Sequence, residues 1–256
     1  MTPVNAICSS IGQRLARYLS GTRHVHASSG PTPVERLLAT LQPCDVLLVE
    51  GQSRISSAIK YLTQSTWSHA ALYVGKLGEG RLPAQHCFVE ADLVEGVRSV
   101  GIAEFAGLHT RICRPVDLTD EERRAVAGHV IDRIGHRYDL RNVIDLARYL
   151  LPTPPVPSRF RRSLIALGSG DPTRAICSTL IAKAFETIRY PVLPSVEYRP
   201  AATEVCPGCV DEIYRIRHHS LYAPRDFDVS PYFRTVKPTI EAGFDFRTLP
   251  WEEAAA

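Results

Sequence analysis

At ~150 residues per domain, 256 residues make one large domain or two small ones, enough to bury a sizeable core. With 45% hydrophobic and 22% charged residues, long disorder and fibrous repeats are excluded. A net charge of +3 is too small to suggest nucleic acid as a partner by bulk charge.

Seven cysteines (Cys8, Cys44, Cys87, Cys113, Cys177, Cys206, Cys209) are an odd number in a chain too long to need disulfide staples, so reduced thiols are expected. The first residues show no basic stretch followed by an apolar run, and no run of ~18 apolar residues occurs, so neither a secretory signal nor a spanning helix is expected. A cytoplasmic location follows as the expectation, with Cys8 a poor lipid anchor.

Residues 1–33 read as a tail or docking helix followed by the linker HASSGPTPVE, and the main domain is expected to start near Val34. DVLLVEG reads as a buried strand closed by Gly51. In SRISSAIKYLTQS the apolar residues Ile55, Ala58, Ile59 and Leu62 recur at helical spacing behind a Ser53 cap. HAALYVG, HCFVEA, VRSV and TRICRPV follow as strands, the third after a turn at Glu95-Gly96, and their short separations suggest an antiparallel meander. LTDEERRAVAGHVIDRI predicts a helix capped by Thr119 with Ala125, Val126, Val130 and Ile134 inward. DLRNVIDLARYLL predicts another, stopped by PTPPVP.

Asp171-Pro172 announces a further helix, whose apolar face carries Ile176, Leu180, Ile181, Ala184 and Phe185. The last ~65 residues read as an extension wrapping the core, with one strand at EIYRIR. The expected layout is 1–33 tail, 34–190 catalytic core and 191–256 extension.

Cys177 falls about one turn inside that last predicted helix, where the positive end of the dipole and orphan N–H groups favour a thiolate and offer oxyanion donors. A cysteine on an apolar helix face also serves simple packing. A cysteine nucleophile needs an imidazole base, and the base needs a polar neighbour to fix its tautomer. His69 opens a strand after TWS, and Glu90 sits in the next strand within FVEAD, where an antiparallel pairing brings it beside His69. Each residue alone has a bland reading as a surface or packing residue; the three together suggest a Cys-His-Glu site.

These blocks, CDVLLVEG…SRISSAIKYLTQSTWSHAALYVG, VEAD…EGV, YDLRNVIDLARYLLP and GDPTRAICSTLIAKAF, resemble the permuted NlpC-type papain-like proteins, the YiiX-like or "lipo-like" group, over roughly Leu41 to Tyr190. PRDFDVSPYFRTVKP resembles a closing segment of that group. The resemblance implies an α+β, circularly permuted papain-like fold in which an antiparallel sheet packs against a cysteine helix that follows it. It implies Cys177 as nucleophile, His69 as general base and Glu90 as the polar third member. Tyr138 and Asp139, in HRYD, are implied as substrate-pocket residues. The retinol-acyltransferase relatives share the permutation but carry a cysteine block different from ICSTLIA.

The implied activity is thiol hydrolysis of an amide or ester in a small acyl-amide, lipid-like or peptide substrate, with no cofactor and no metal. A cell-wall peptide endopeptidase and a non-catalytic lipid- or peptide-binding module are the alternatives. Cys206-Pro-Gly-Cys209 before His218 and His219 reads as a turn with two incidental thiols rather than a zinc site. Arg159, Arg161 and Arg162 around Phe160 form a basic patch suited to a solvated face or to peripheral membrane contact. His86, His109, His129 and His136 show no metal-ligand spacing. The oligomeric state is not legible.

Overall fold

The computed structural model describes Gly21 and residues 31–136, 176–200 and 210–250. Within them the helices are α1 (Val34–Thr40), α2 (Arg54–Thr63), α3 (Asp120–Ile131), α4 (Ile176–Glu186), α5 (Pro224–Val229) and α6 (Pro238–Glu241). The strands are β1 (Val46–Val49), β2 (His69–Tyr73), β3 (His86–Asp92), β4 (Gly96–Gly101), β5 (Thr110–Pro115), β6 (Ser195–Pro200), β7 (Val210–Arg215) and β8 (Phe233–Val236). The result is a mixed α/β structure built on a large antiparallel sheet of order β4-β3-β2-β1-β5-β8.

The VLLV run of β1 is buried at all four positions because it lies inside the sheet with both faces covered. Alternation along the strands divides the core in two. Leu47, Val49, Ala71, Phe88 and Ile112 pack with Leu37 of α1 and with Phe105. On the other side Leu48, Ala70, Leu72, Val89 and Cys113 share a cluster with Val126 and Val130 of α3, Leu180, Ile181 and Phe185 of α4, and Phe227 of α5. Each fully buried side chain of this size contributes roughly 1.5–3 kcal/mol.

Local chemistry sets the element boundaries. Ser53 Oγ accepts the Ser56 N–H at the start of α2, and Gln64 ends that helix in the left-handed conformation. Thr119 and Glu122 form a reciprocal capping box on α3. Between β3 and β4, Asp92 Oδ1 accepts the N–H groups of Val94 and Glu95, and Gly96 takes φ +82°. That tight turn fixes the register that sets Arg98 opposite Glu90.

Several expectations are corrected. The strands do not form a simple meander, because β5 crosses over to pair with β1 rather than with β4. The buried residues of α3 are Val126, Ala127, Val130 and Ile131, and Ile134 just past the helix packs against the same core as expected; Ala125, next to Val126 but about 100° round the helix from it, is exposed. EIYRIR overlaps β7 over residues 212–215, with Ile216 and Arg217 past its end, and β7 pairs with β6 in a separate two-stranded sheet. The C-terminal stretch adds β8 to the main sheet beside β5, and VERLLAT is a short helix. The predicted helices at DLRNVIDLARYLL and in the N-terminal tail, and the Asp171-Pro172 helix start, lie outside the described residues.

A buried ion pair ties α1 to the sheet. Arg114 of β5 donates Nε and Nη2 to the two carboxylate oxygens of Asp45 at 2.9 and 2.7 Å and also reaches the Thr40 carbonyl. Among the described residues no helix is long and apolar enough to cross a membrane.

Candidate active site

β2 starts at His69, and the chain just before it is tied to the end of β1. The Ser68 N–H donates to the Val49 carbonyl, and Ser68 Oγ accepts the Gly51 N–H at 2.9 Å. A Cβ at position 51 would lie 2.3 Å from Ser56 Oγ and 2.9 Å from Ser68 Oγ, so glycine is what lets both hydroxyls keep their places. Register sets Ala71 opposite Glu90, so His69, two residues earlier on the same face, is diagonal to the acid. Across that diagonal His69 Nε2 lies 2.8 Å from Glu90 Oε2, which leaves Nδ1 for a second partner.

Arg98, opposite Glu90 on β4, donates Nε and Nη2 to Glu90 Oε1 at 2.9 and 2.7 Å. It is held in turn by Glu104 and Glu95. Glu90 is 3% exposed. Burial on its own would raise its carboxyl pKa, but the charges and hydrogen bonds of His69 and then Arg98 outweigh that and lower it to about 2.

α4 brings Cys177 to the start of β2. α4 packs on β2, so the buried thiol stands near enough to the His69 ring to feel its charge, and Ser178 Oγ lies 4.0 Å from Sγ. Burial pushes the thiol pKa up, yet His69 brings the balance below the ordinary cysteine value. For His69 burial favours the neutral ring, while Glu90 and Cys177 raise its pKa well above the usual value. Both directions favour a thiolate–imidazolium pair.

The other described cysteines differ. Burial pushes Cys44 up to about 12 and also raises Cys87 and Cys113. Of the four, Cys177 alone is lowered, and the charge of His69 is what lowers it.

Tyr138 and Asp139, the arginines around Phe160, and Cys206 and Cys209 lie outside the described residues. His86 bonds Ser99, His109 bonds Glu50, and His219 bonds Glu186. His136 is exposed, and burial lowers the pKa of His129 to about 4. Among the described residues no group of three or more His, Cys, Asp or Glu is placed to hold a metal ion.

Sequence reasoning missed Arg98. Its signal was the Glu95-Gly96 turn: counting back across a tight hairpin sets residue 98 opposite residue 90. It also missed Asp228, which accepts the Trp67 indole N–H at 2.9 Å and a double contact from Arg111. Separated from Trp67 by 161 positions, that carboxylate left no local signal.

Residues 40–149 match the family described as permuted papain-like amidase enzyme, YaeF/YiiX, C92 family. The permuted papain-like, YiiX-like part of the resemblance read from the sequence is matched over this span, which includes His69 and Glu90 and ends before Cys177. A search of curated proteins gave no match. The structure is similar to the crystal structure of metalloprotein yiiX from Escherichia coli O157:H7, at 15% identity and a TM-score of 0.43, covering 77% of this chain and 96% of that one.

Proposed function

We propose that the protein is a cysteine hydrolase that cleaves an amide or ester bond, with Cys177 as nucleophile, His69 as general base and Glu90 as the group that orients the ring. The observation that carries this reading is the chain from Arg98 through the buried Glu90 carboxylate to the His69 ring, at the end of β2 against which the helix of the buried Cys177 packs. The match of residues 40–149 to a family of amidases supports the hydrolase class. The order His69, Glu90, Cys177 accords with a permuted papain-like, NlpC-type arrangement.

In the proposed reaction His69 holds the thiol proton, and the thiolate adds to the substrate carbonyl. Collapse expels the amine or alcohol, which takes the proton from His69. Water, deprotonated by the same ring, then releases the acid and regenerates the thiol. A positioned base accounts for ~10²–10⁴-fold of rate. An acylated or lipid-like substrate completes the proposal.

Site-resolved alkylation by iodoacetamide, followed by a screen of acyl amides, thioesters and short peptides, tests it. Cys177 is expected to label well ahead of Cys44, Cys87 and Cys113, and Cys177→Ser to abolish turnover. Equal labelling together with an unaffected Ser variant overturns the reading. Selective labelling without turnover of any substrate favours the binding-module alternative.

A further inference from the structure

A second set of polar side chains converges on a cleft of about 580 Å³ beside the start of β2. Trp67 lies two residues before His69, and Glu50 follows Val49, the register partner of His69. The cleft therefore opens at the same end of the sheet as the thiol site. Three cations, Lys60, Arg111 and Arg225, line it together with two carboxylates, Glu50 and Asp228.

Both carboxylates are committed inward. Glu50 meets Lys60 at 3.3 Å and His109 at 3.0 Å and is largely buried. Asp228 accepts from Arg111 Nη1 on both oxygens and from the Trp67 indole. The cations, by contrast, retain donors. Arg111 uses only Nη1 and lies over the Trp67 ring, centroid 5.0 Å away. Arg225 uses Nη1 on the Thr63 carbonyl. The remaining guanidinium N–H groups of both have no hydrogen-bond partner among the described residues. Planar forks with spare donors recognise anionic oxygens, and one cation in excess matches a single negative charge better than two.

We propose that this cleft is a subsite for a substrate carboxylate, held by Arg111, Arg225 and Lys60, while the bond to be cleaved lies at Cys177. The proposal rests on the hydrolase reading and narrows its substrates to acyl compounds that carry a carboxylate on one side of the scissile bond. Arg111 stands on β5, two strand spacings or about 10 Å from β2, so a short tether spans the two sites.

The test uses the full chain and two alkylating probes, N-iodoacetyl-6-aminohexanoate and its neutral amide, with iodoacetamide as reference. The carboxylate probe is expected to label Cys177 on the order of tenfold faster than its amide, the factor of one charge-assisted hydrogen bond. In the Lys60→Gln/Arg225→Gln double variant the two rates, each divided by the iodoacetamide rate of the same protein, are expected to converge. Equal rates in wild type, or a preference that survives the double variant, overturn the subsite. Stronger competition by inorganic phosphate than by acetate overturns the carboxylate assignment.

If Cys177 labels no faster than Cys87 with any reagent, the hydrolase reading fails separately. The cleft is then judged on Cys177→Ser protein by following the Trp67 indole N–H resonance, one of two in the chain, during titration with 6-acetamidohexanoate. A saturable shift that the double variant abolishes supports the subsite, and no shift removes it.

Discussion

Glu90 illustrates how one side chain is kept ionised inside a sheet. A carboxylate at 3% exposure carries a large desolvation cost, which His69 on one oxygen and Arg98 on the other offset. In the proposed site Arg98 is thus a positioning residue acting through Glu90. Arg98→Met is expected to raise the Glu90 pKa, loosen the His69 ring and lower Cys177 alkylation by about 10–100-fold, by analogy with the partners that orient metal-binding histidines. A purely structural role would lower stability and leave the acid limb of the alkylation profile in place; a positioning role moves that limb to higher pH, and Arg98→Lys restores part of it. The same carboxylate links stability to pH. Its folded value of about 2 lies below the ordinary 4.5, so its stabilisation is complete above pH 4.5 and is lost as pH falls toward 2. His69 has the opposite sign: its raised pKa contributes fully below 6.5 and is lost as pH rises through the folded value. Urea midpoints of Glu90→Gln are therefore expected to be lower than wild type at pH 6 and to fall less steeply between pH 4.5 and 2.

At the scale of elements, the parts legible in the sequence are those governed by neighbours in the chain. Strands β1 to β5 and helices α2 and α3 follow from short apolar runs and caps such as Ser53 and Thr119. His69 and Glu90 were legible because adjacent antiparallel strands bring them onto one diagonal. The crossover of β5 to β1 was not, since strand composition does not choose between two antiparallel partners. Nor was β8: its four residues FRTV bury only the two ends, which gives no alternation to detect. Arg98 carries no local mark of its role, because only the hairpin register sets it opposite a buried acid. The approach of β1 to α2 at Gly51 has its own consequence. Gly51→Ala drives a Cβ into Ser56 Oγ, at an expected cost of about 1–3 kcal/mol, and displaces Ser68 just ahead of His69. Chemical denaturation and Cys177 alkylation are expected to fall together in this variant, whereas Thr119→Ala, at the cap of α3, is expected to cost about 1 kcal/mol with alkylation unchanged.

Across the whole molecule, His69 and Glu90 of the proposed site come from strands in the first half of the chain, while the thiol arrives on a helix more than eighty residues after Glu90. Geometry between them depends on how firmly α4 is pressed against the sheet, and the C-terminal strand takes part in that. Phe233 of β8 makes edge contacts with Phe185 of α4 at 5.3 Å, Tyr190 at 5.6 Å and Phe227 of α5 at 5.5 Å. Tyr190 in turn donates its hydroxyl to the Tyr232 carbonyl at 2.6 Å. One aromatic cluster therefore joins the last strand of the sheet, the cysteine helix and the helix that carries Asp228. Phe233→Ala is expected to destabilise the fold by about 3–5 kcal/mol through the cavity it leaves. Because that cavity opens against α4, its effect extends beyond stability: under native conditions Cys177 alkylation is expected to lose its lead over Cys87, while Phe233→Leu keeps most of both. If Phe233→Ala lowered the urea midpoint but left the selectivity for Cys177 intact, the sheet alone would be holding the thiol in place, and β8 would serve only to close the edge beside β5.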